Sequence, residues 1–304
     1  MRVAVTGGTG FIGRALIQSL RDWGDSVIVL SRDIFRAKEI LGDGIHLVHW
    51  EAGGPPGPWQ DELSQADAVV NLAGENLFGK RWDAAQKARI WNSRVHATQQ
   101  IVEVMARQVP RPRVLINASA IGYYGPRDSE PLDETASPGI DFLANMVRAW
   151  EAEAEKAEAL GVRVVRLRTG VVLEKDGGAL AQMLPPFKMF LGGWMGSGRQ
   201  YISWIHRKDL VGIILYALTQ TQVSRAVNAT APHPVTNKEF TAALGRALRR
   251  PSWAPVPAFV LRAMLGEAAE VILAGQNVLP TAITAAGYRF YYPDLDKALQ
   301  SIVR

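Results

Sequence analysis

The sequence predicts an α/β fold, a doubly wound parallel sheet with a smaller C-terminal α/β lobe. Three observations carry this. Short β-branched runs alternate with helical stretches up to about residue 175; glycines punctuate the first strand-to-helix junction; and the alternation then gives way to a segment rich in proline and glycine. Alternating strands and helices joined by right-handed crossovers make a parallel sheet covered on both faces. Its ligand crevice lies beyond the carboxyl ends of the strands.

Taken in order, residues 3–6 form a β-branched run, and residues 11–20 carry apolar side chains at helical spacing. Residues 27–30 read as a second strand. Residues 68–72 form another, ending in a polar, glycine-containing segment. A helix over 94–107 leads through a proline-rich turn to a strand over 114–117. Residues 147–160, rich in Ala, Glu and Lys, predict a helix that Gly161 stops, and 162–167 is the next strand. Residues 185–198 hold two prolines and four glycines, which predicts a long irregular excursion or lid. A short strand over 201–205 and a return helix over 210–218 follow, and the remainder mixes helices and proline-rich turns with a last strand over 288–293. The expected division is a nucleotide-binding domain of residues 1–175, completed by about 203–230. Residues 176–202 and 231–304 form a substrate lobe with a possible lid.

Composition narrows the function classes. The chain has 304 residues, 48% hydrophobic and 21% charged, enough for one large core or two unequal lobes. No apolar stretch approaches the roughly 18 residues of a membrane span, and Met1 runs straight into a strand, so a cytoplasmic location without export or insertion is expected. The absence of cysteine excludes a disulfide scaffold, a thiolate metal site and a thiol nucleophile; no metal is expected. A net charge of +5 is mild. Arg246, Arg249 and Arg250 lack the interleaved aromatic residues of a strand-stacking groove, so they read as a solvated helix end and nucleic acid is not an expected partner.

The chemistry begins at Gly7-Gly8-Thr9-Gly10-Phe11-Ile12-Gly13. Gly7, Gly10 and Gly13 sit between a strand and an apolar-periodic helix, where missing side chains permit a tight turn, close approach of a pyrophosphate and close helix packing. Thr9, Phe11 and Ile12 belong to the same turn. At the end of the second strand stand Ser31 and Arg32, with Asp33 one step later. A guanidinium and a hydroxyl match a ribose 2′-phosphate, so NADP(H) is expected over NAD; the competing reading turns Asp33 inward onto an unphosphorylated ribose. Leu72, Ala73 and Gly74 form a low wall beside the adenosine and ribose, Asn92 is placed to hydrogen-bond backbone near the sheet, and Glu75, with Asn76, reads either as cofactor framing or as a loop cap. Arg168, Thr169, Gly170 and Val171 follow a strand where the nicotinamide belongs.

These motifs, with the 119–125 stretch Ser-Ala-Ile-Gly-Tyr-Tyr-Gly and the 204–210 stretch Trp-Ile-His-Arg-Lys-Asp-Leu, resemble the extended short-chain dehydrogenase/reductase superfamily. The excursion and the 278–290 tail are similar to its atypical NAD-dependent epimerase/dehydratase-like group, some of whose members are labelled cell-division inhibitors. The resemblance implies a Rossmann-type sheet, a small substrate lobe and NADP binding. It also exposes a departure. The superfamily pairs a Tyr and a Lys four residues apart, and alignment through Glu151 puts Leu143 and Val147 there. A phenol of pKa near 10 needs an adjacent cation to act as a base near neutrality, and neither residue titrates.

Three groups are candidates to compensate: Tyr124 as proton donor, Ser119 beside it, one residue before the usual hydroxyl position that Ala120 occupies, and His206 near pH 7 with Asp209 orienting it. The opposing readings pack Tyr123 and Tyr124 into the turn, bond Ser119 to backbone, and use His206 and Asp209 as helix caps. Glu134 reads as a substrate rim or an exposed turn. The reading is of an NADP(H)-binding reductase or epimerase-like protein for a small carbonyl or sugar-like molecule. The alternative is a non-catalytic nucleotide-dependent sensor. A small-molecule substrate is the expected partner, without a membrane, and a homodimer or protein partner is left open.

Overall fold

The computed structural model describes residues 1–303. In chain order the first half contains β1 (Arg2–Thr6), α1 (Phe11–Asp22), β2 (Ser26–Ser31), α2 (Ile34–Leu41), β3 (His46–His49), α3 (Trp59–Ser64), β4 (Ala68–Asn71), α4 (Ala84–Asn92), α5 (Val95–Arg107) and β5 (Val114–Ala120). After them come β6 (Pro131–Leu132), α6 (Phe142–Glu155), β7 (Arg163–Thr169), β8 (Val171–Leu173), α7 (Gly178–Lys188), β9 (Tyr201–Ile202), β10 (Trp204–His206), α8 (Arg207–Thr219) and β11 (Arg225–Ala229). The chain closes with β12 (Val235–Thr236), α9 (Asn237–Leu248), α10 (Ala258–Leu265), α11 (Ala269–Leu273), β13 (Asn277–Val278), α12 (Thr281–Ala285) and α13 (Leu295–Val303).

Seven parallel strands form the main sheet in the order β11-β7-β5-β4-β1-β2-β3. The order reverses between β1 and β4, and the crevice outside that switch point is where such sheets take ligands. Each inner strand is apolar on both faces, as burial on two sides requires. Val3, Val5, Val29, Val70, Ile116 and Val165 pack with α1 and α8 on one face, and Ala4, Ile28, Val69, Leu115 and Val164 pack with α3 and α5 on the other. A separate core, formed by Leu180, Leu184, Phe187, Phe240, Leu244, Leu295, Leu299 and Ile302 with Trp204, gathers α7, α9 and α13 into a smaller lobe.

Three local expectations differ from the structure. Residues 185–188 continue α7 through Pro185 and Pro186 rather than starting an irregular stretch. The 201–205 strand is two short ones, broken at Ser203. No strand forms over 288–293. There the amides of Tyr291 and Tyr292 donate to the buried Asp209 carboxylate at 2.7 and 2.9 Å instead of to a neighbouring strand. Ile283 and Tyr288 join the core of the main sheet, so the chain after 231 contributes to both lobes.

Candidate functional site

β1 ends at the fully buried Thr6, whose hydroxyl donates to Asn71 Oδ1 at 2.6 Å and accepts the amides of Leu72 and Ala73, both at 3.1 Å. The ends of β1 and β4 are thereby clamped together. Into the gap turns Gly7, at φ +66°, where a Cβ would stand 2.5 Å from the Leu72 carbonyl oxygen. A Cβ on Gly13 would lie 2.3 Å from the Gly7 oxygen and 2.7 Å from Gly8 Cα, so only glycine lets α1 approach the turn this closely. The Gly10 amide closes the turn onto the Gly7 carbonyl at 3.0 Å. No side chain caps α1. Its first turn therefore presents uncapped N–H groups with the positive end of the helix dipole, which is the chemistry of a pyrophosphate cradle. Phe11 lies against Gly177 and Gly178 of the segment after β8, and the Arg207 guanidinium sits 5.1 Å from its ring centre.

At the end of β2, Asp33 is the N-cap of α2, accepting the Arg36 amide at 2.9 Å, and Ser31 Oγ donates to the Asp33 carbonyl at 3.1 Å. Arg32 is exposed. It forms no ion pair or side-chain hydrogen bond among the described residues, so its guanidinium is available to an anion.

The 72–75 wall follows β4 directly. Asn92, expected to bond backbone near the sheet, is exposed at the last position of α4. The residues that reach the wall are its neighbours: Ser93 Oγ accepts the Glu75 amide at 3.0 Å, and Arg94 donates to the Glu75 carbonyl at 2.9 Å. The Arg94 guanidinium lies 5.5 Å from the Trp150 ring centre, and a Cβ on Gly74 would come within 3.0 Å of it. Burial lowers its pKa to about 10, against the opposing pull of Glu75. The available signal was a cation at the start of an otherwise apolar-faced helix.

Where the superfamily keeps its proton-transfer pair, Leu143 lies under Gly122, and Val147 packs with Ile90, Val95, Met146 and Trp150. Ser119 Oγ donates to Glu151 Oε1 at 2.5 Å, and Glu151 receives Arg168 through both oxygens, at 2.8 and 2.9 Å. Arg168 also donates to the Tyr124 hydroxyl at 3.0 Å and stacks 3.4 Å from the Tyr123 ring centre. Tyr124 in turn donates to Asn228 Oδ1 at 2.7 Å. Burial pushes the Tyr124 phenol up to about 12, although Arg168 and its hydrogen bond pull the other way. Burial alone would weaken the Arg168 charge; the Glu151 carboxylate more than compensates and holds it ionised. Ser119, Tyr124 and Arg168 are thus brought together, as members of one buried ion-pair network. Ser119 meets a carboxylate rather than backbone. Glu134 is neither rim nor exposed turn: its carboxylate accepts the amides of Asn228 and Ala282 and ties α12 to β11.

The structure does not bring His206 to this group. It is the N-cap of α8, where Nδ1 accepts the Lys208 amide at 2.9 Å, and it stacks on Tyr292 at 4.1 Å. Burial lowers its pKa to about 4, despite Glu174 nearby. Asp209 does not orient it, being committed to Tyr288, Tyr291 and Tyr292. Thr169 donates to the Leu167 carbonyl. Gly170 crosses β10 so closely that a Cβ would stand 2.4 Å from the Ser203 oxygen, and Val171 donates to that oxygen at 2.8 Å. The excursion around Trp194 and Met195 is stitched down: Gly192 accepts two amides from Trp253 and Ala254, Trp194 accepts Val256, and Met195 donates to Asn237.

Comparison with known proteins agrees with this architecture. Residues 3–229 match the model of the NAD dependent epimerase/dehydratase family, and residues 256–302 match a domain of unknown function, DUF1731. The chloroplastic epimerase family protein SDR39U1 homolog of Arabidopsis thaliana is 44% identical over 308 residues, covering 100% of this chain and 87% of the relative. YfhF of Bacillus subtilis, also an epimerase family protein, is 39% identical, covering 100% and 98%. The crystal structure of human SDR39U1 with NADPH superposes with a TM-score of 0.87 at 36% identity, over 99% of each chain. A UDP-N-acetylglucosamine 4-epimerase from Bacillus cereus shares the fold alone, at 19% identity and a TM-score of 0.76. The chain therefore belongs to the NAD-dependent epimerase/dehydratase family, in its atypical branch related to SDR39U1.

Proposed function

We propose that the protein binds NADP(H) and acts as an oxidoreductase or epimerase-like enzyme on a small carbonyl or sugar-like molecule. The observation that carries the nucleotide assignment is the division of labour at the end of β2. Asp33, the residue that would favour an unphosphorylated ribose, caps α2, while Arg32 projects unpaired. The human relative crystallised with NADPH supports the same reading. The turn of Gly7, Gly10 and Gly13 would receive the pyrophosphate, and Thr169 to Val171, with Ala120 and Gly122, would border the nicotinamide. The bound nucleotide supplies the hydride chemistry.

What this chain's residues can add at the reaction centre is placement of the nucleotide and substrate. Leu143 and Val147 have no exchangeable side-chain proton, and Ser119 and Tyr124 already have partners. A proton needed by a reduced carbonyl oxygen would then come from water. The same lack of a free acid or base favours a second reading, a nucleotide-dependent sensor in which the cofactor stabilises one conformation. NADPH oxidation against a panel of carbonyls and keto-sugars separates the two. Turnover supports the enzyme; tight NADPH binding with no turnover across the panel supports the sensor; absence of NADPH binding contradicts both.

A further inference from the structure

The chain's positive charge is unevenly distributed. Residues 177–206 and 240–266 contain six cations, Lys188, Arg199, Arg246, Arg249, Arg250 and Arg262, and no carboxylate, while the rest holds 28 basic against 29 acidic residues. The whole excess of +5 therefore lies in these two stretches. The fold joins them through the bonds from Trp253 and Ala254 to Gly192 and from Val256 to Trp194; Arg246 and Arg262 are answered by Asp296 and Glu270, which leaves the other four cations.

At that seam an apolar knuckle protrudes. Met189, Phe190, Leu191 and Trp253 are 62%, 52%, 55% and 62% exposed. Phe190 holds the turn after α7 at φ +64°. The Trp253 indole N–H donates to the Phe190 carbonyl at 3.1 Å, so the one polar group of that ring is satisfied within the protein. Lys188 precedes the knuckle, Arg249 and Arg250 flank it, and the Arg250 guanidinium lies 4.5 Å from the Phe190 ring centre. Among the described residues none of these three cations has a carboxylate partner. Large apolar side chains clustered in water are unfavourable unless something covers them.

The charge selects the cover. Two copies meeting knuckle to knuckle would bring these cations against their own counterparts, and a neutral protein face would leave them uncompensated. Protruding apolar tips ringed by cations match the headgroup layer of an anionic bilayer, where the tips enter the acyl boundary and the cations meet phosphates. We propose that the surface formed by residues 188–191 and 249–253 docks the protein peripherally on anionic membranes. No helix among the described residues is long and apolar enough to cross a membrane, so the contact is superficial. Peripheral contact of this kind needs no spanning segment and departs from the absence of a membrane partner expected from sequence.

Cosedimentation with vesicles of phosphatidylcholine alone and of phosphatidylcholine mixed equally with phosphatidylglycerol tests this. The wild type is expected to partition onto the anionic vesicles at least roughly tenfold better than onto neutral ones, and to be released as salt rises. Lys188→Glu with Arg250→Glu, and separately Leu191→Ser, should each reduce anionic binding, the charge pair by at least roughly thirtyfold, with unchanged thermal unfolding. Equal partitioning onto both vesicle types, or onto neither, overturns the proposal whatever the variants do. Full anionic binding by folded variants would overturn the assignment to the knuckle. A wild-type dimer that Leu191→Ser dissociates, without vesicle binding, would make the surface an interface between copies instead.

Discussion

The two ends of the crevice handle their polar groups in opposite ways. At the mouth of α1, three glycines keep the backbone bare where a ligand would approach, no side chain caps the helix, and Arg32 is left unpaired. Around Glu151, by contrast, Ser119, Arg168, Tyr124 and Asn228 answer one another in a closed chain of hydrogen bonds, and Leu143 and Val147 fill the positions of the usual acid and base. Open donors invite a ligand; answered ones hold a fold. The contrast teaches that in this chain the nucleotide end keeps its donors open, while the positions of the usual acid and base lie beside a structural ion pair.

The comparison breaks most visibly at the turn. Gly13→Ala forces a methyl group against the Gly7 carbonyl, and is expected to weaken NADPH binding by more than about a hundredfold while lowering stability by about 1–3 kcal/mol; calorimetric titration and urea unfolding read the two effects. Near-normal affinity in that variant would mean the phosphate cradle is elsewhere. On the closed side, Arg168→Met leaves the buried Glu151 carboxylate with only the Arg166 guanidinium, 3.7 Å away, which should cost part of the roughly 3–5 kcal/mol that breaking a buried ion pair costs. Much of that loss should return in the Arg168→Met/Glu151→Leu double variant, because the uncompensated charge goes too. A single variant as stable as the wild type would show that the pair does not hold the sheet.

His206 gives a smaller, pH-dependent effect. Its folded pKa, about 4, lies below the ordinary 6.5, so the unfolded chain takes up the proton first. Its contribution is therefore complete above pH 6.5 and is lost as pH falls from there toward 4, by up to about 3 kcal/mol. In His206→Asn the cap acceptor is retained and the titration removed, so urea unfolding at pH 7 and pH 5 should show a weaker pH dependence than the wild type. An unchanged dependence would assign the acid sensitivity to other groups.

Five of the sheet's seven strands were legible because they are β-branched runs spaced by amphipathic helices, signals that depend only on local sequence, whereas the edge strands β3 and β11 were not legible. The phosphate turn was legible for the same reason, its three glycines being adjacent in the chain. Tertiary pairings hid the rest. Asp209 takes the amides that would have made 288–293 a strand, from more than 80 positions away. Tyr124 and Asn228 meet across 104 positions, and nothing beside Tyr124 distinguishes a phenol locked to that amide from a free proton donor. Arg94 carried no local signal beyond standing at a helix start; the bend between α4 and α5 is what brings it, rather than Asn92, to the Glu75 carbonyl.

The central claim is that the nucleotide end remains a specific site, selective through the unpaired Arg32. Titration of the wild type and Arg32→Ala with NADPH and with NADH tests it most directly. The account predicts that the wild type prefers NADPH and that Arg32→Ala weakens NADPH by roughly ten- to a hundredfold, leaving NADH nearly unchanged. Equal losses for both nucleotides, or none for either, would contradict it.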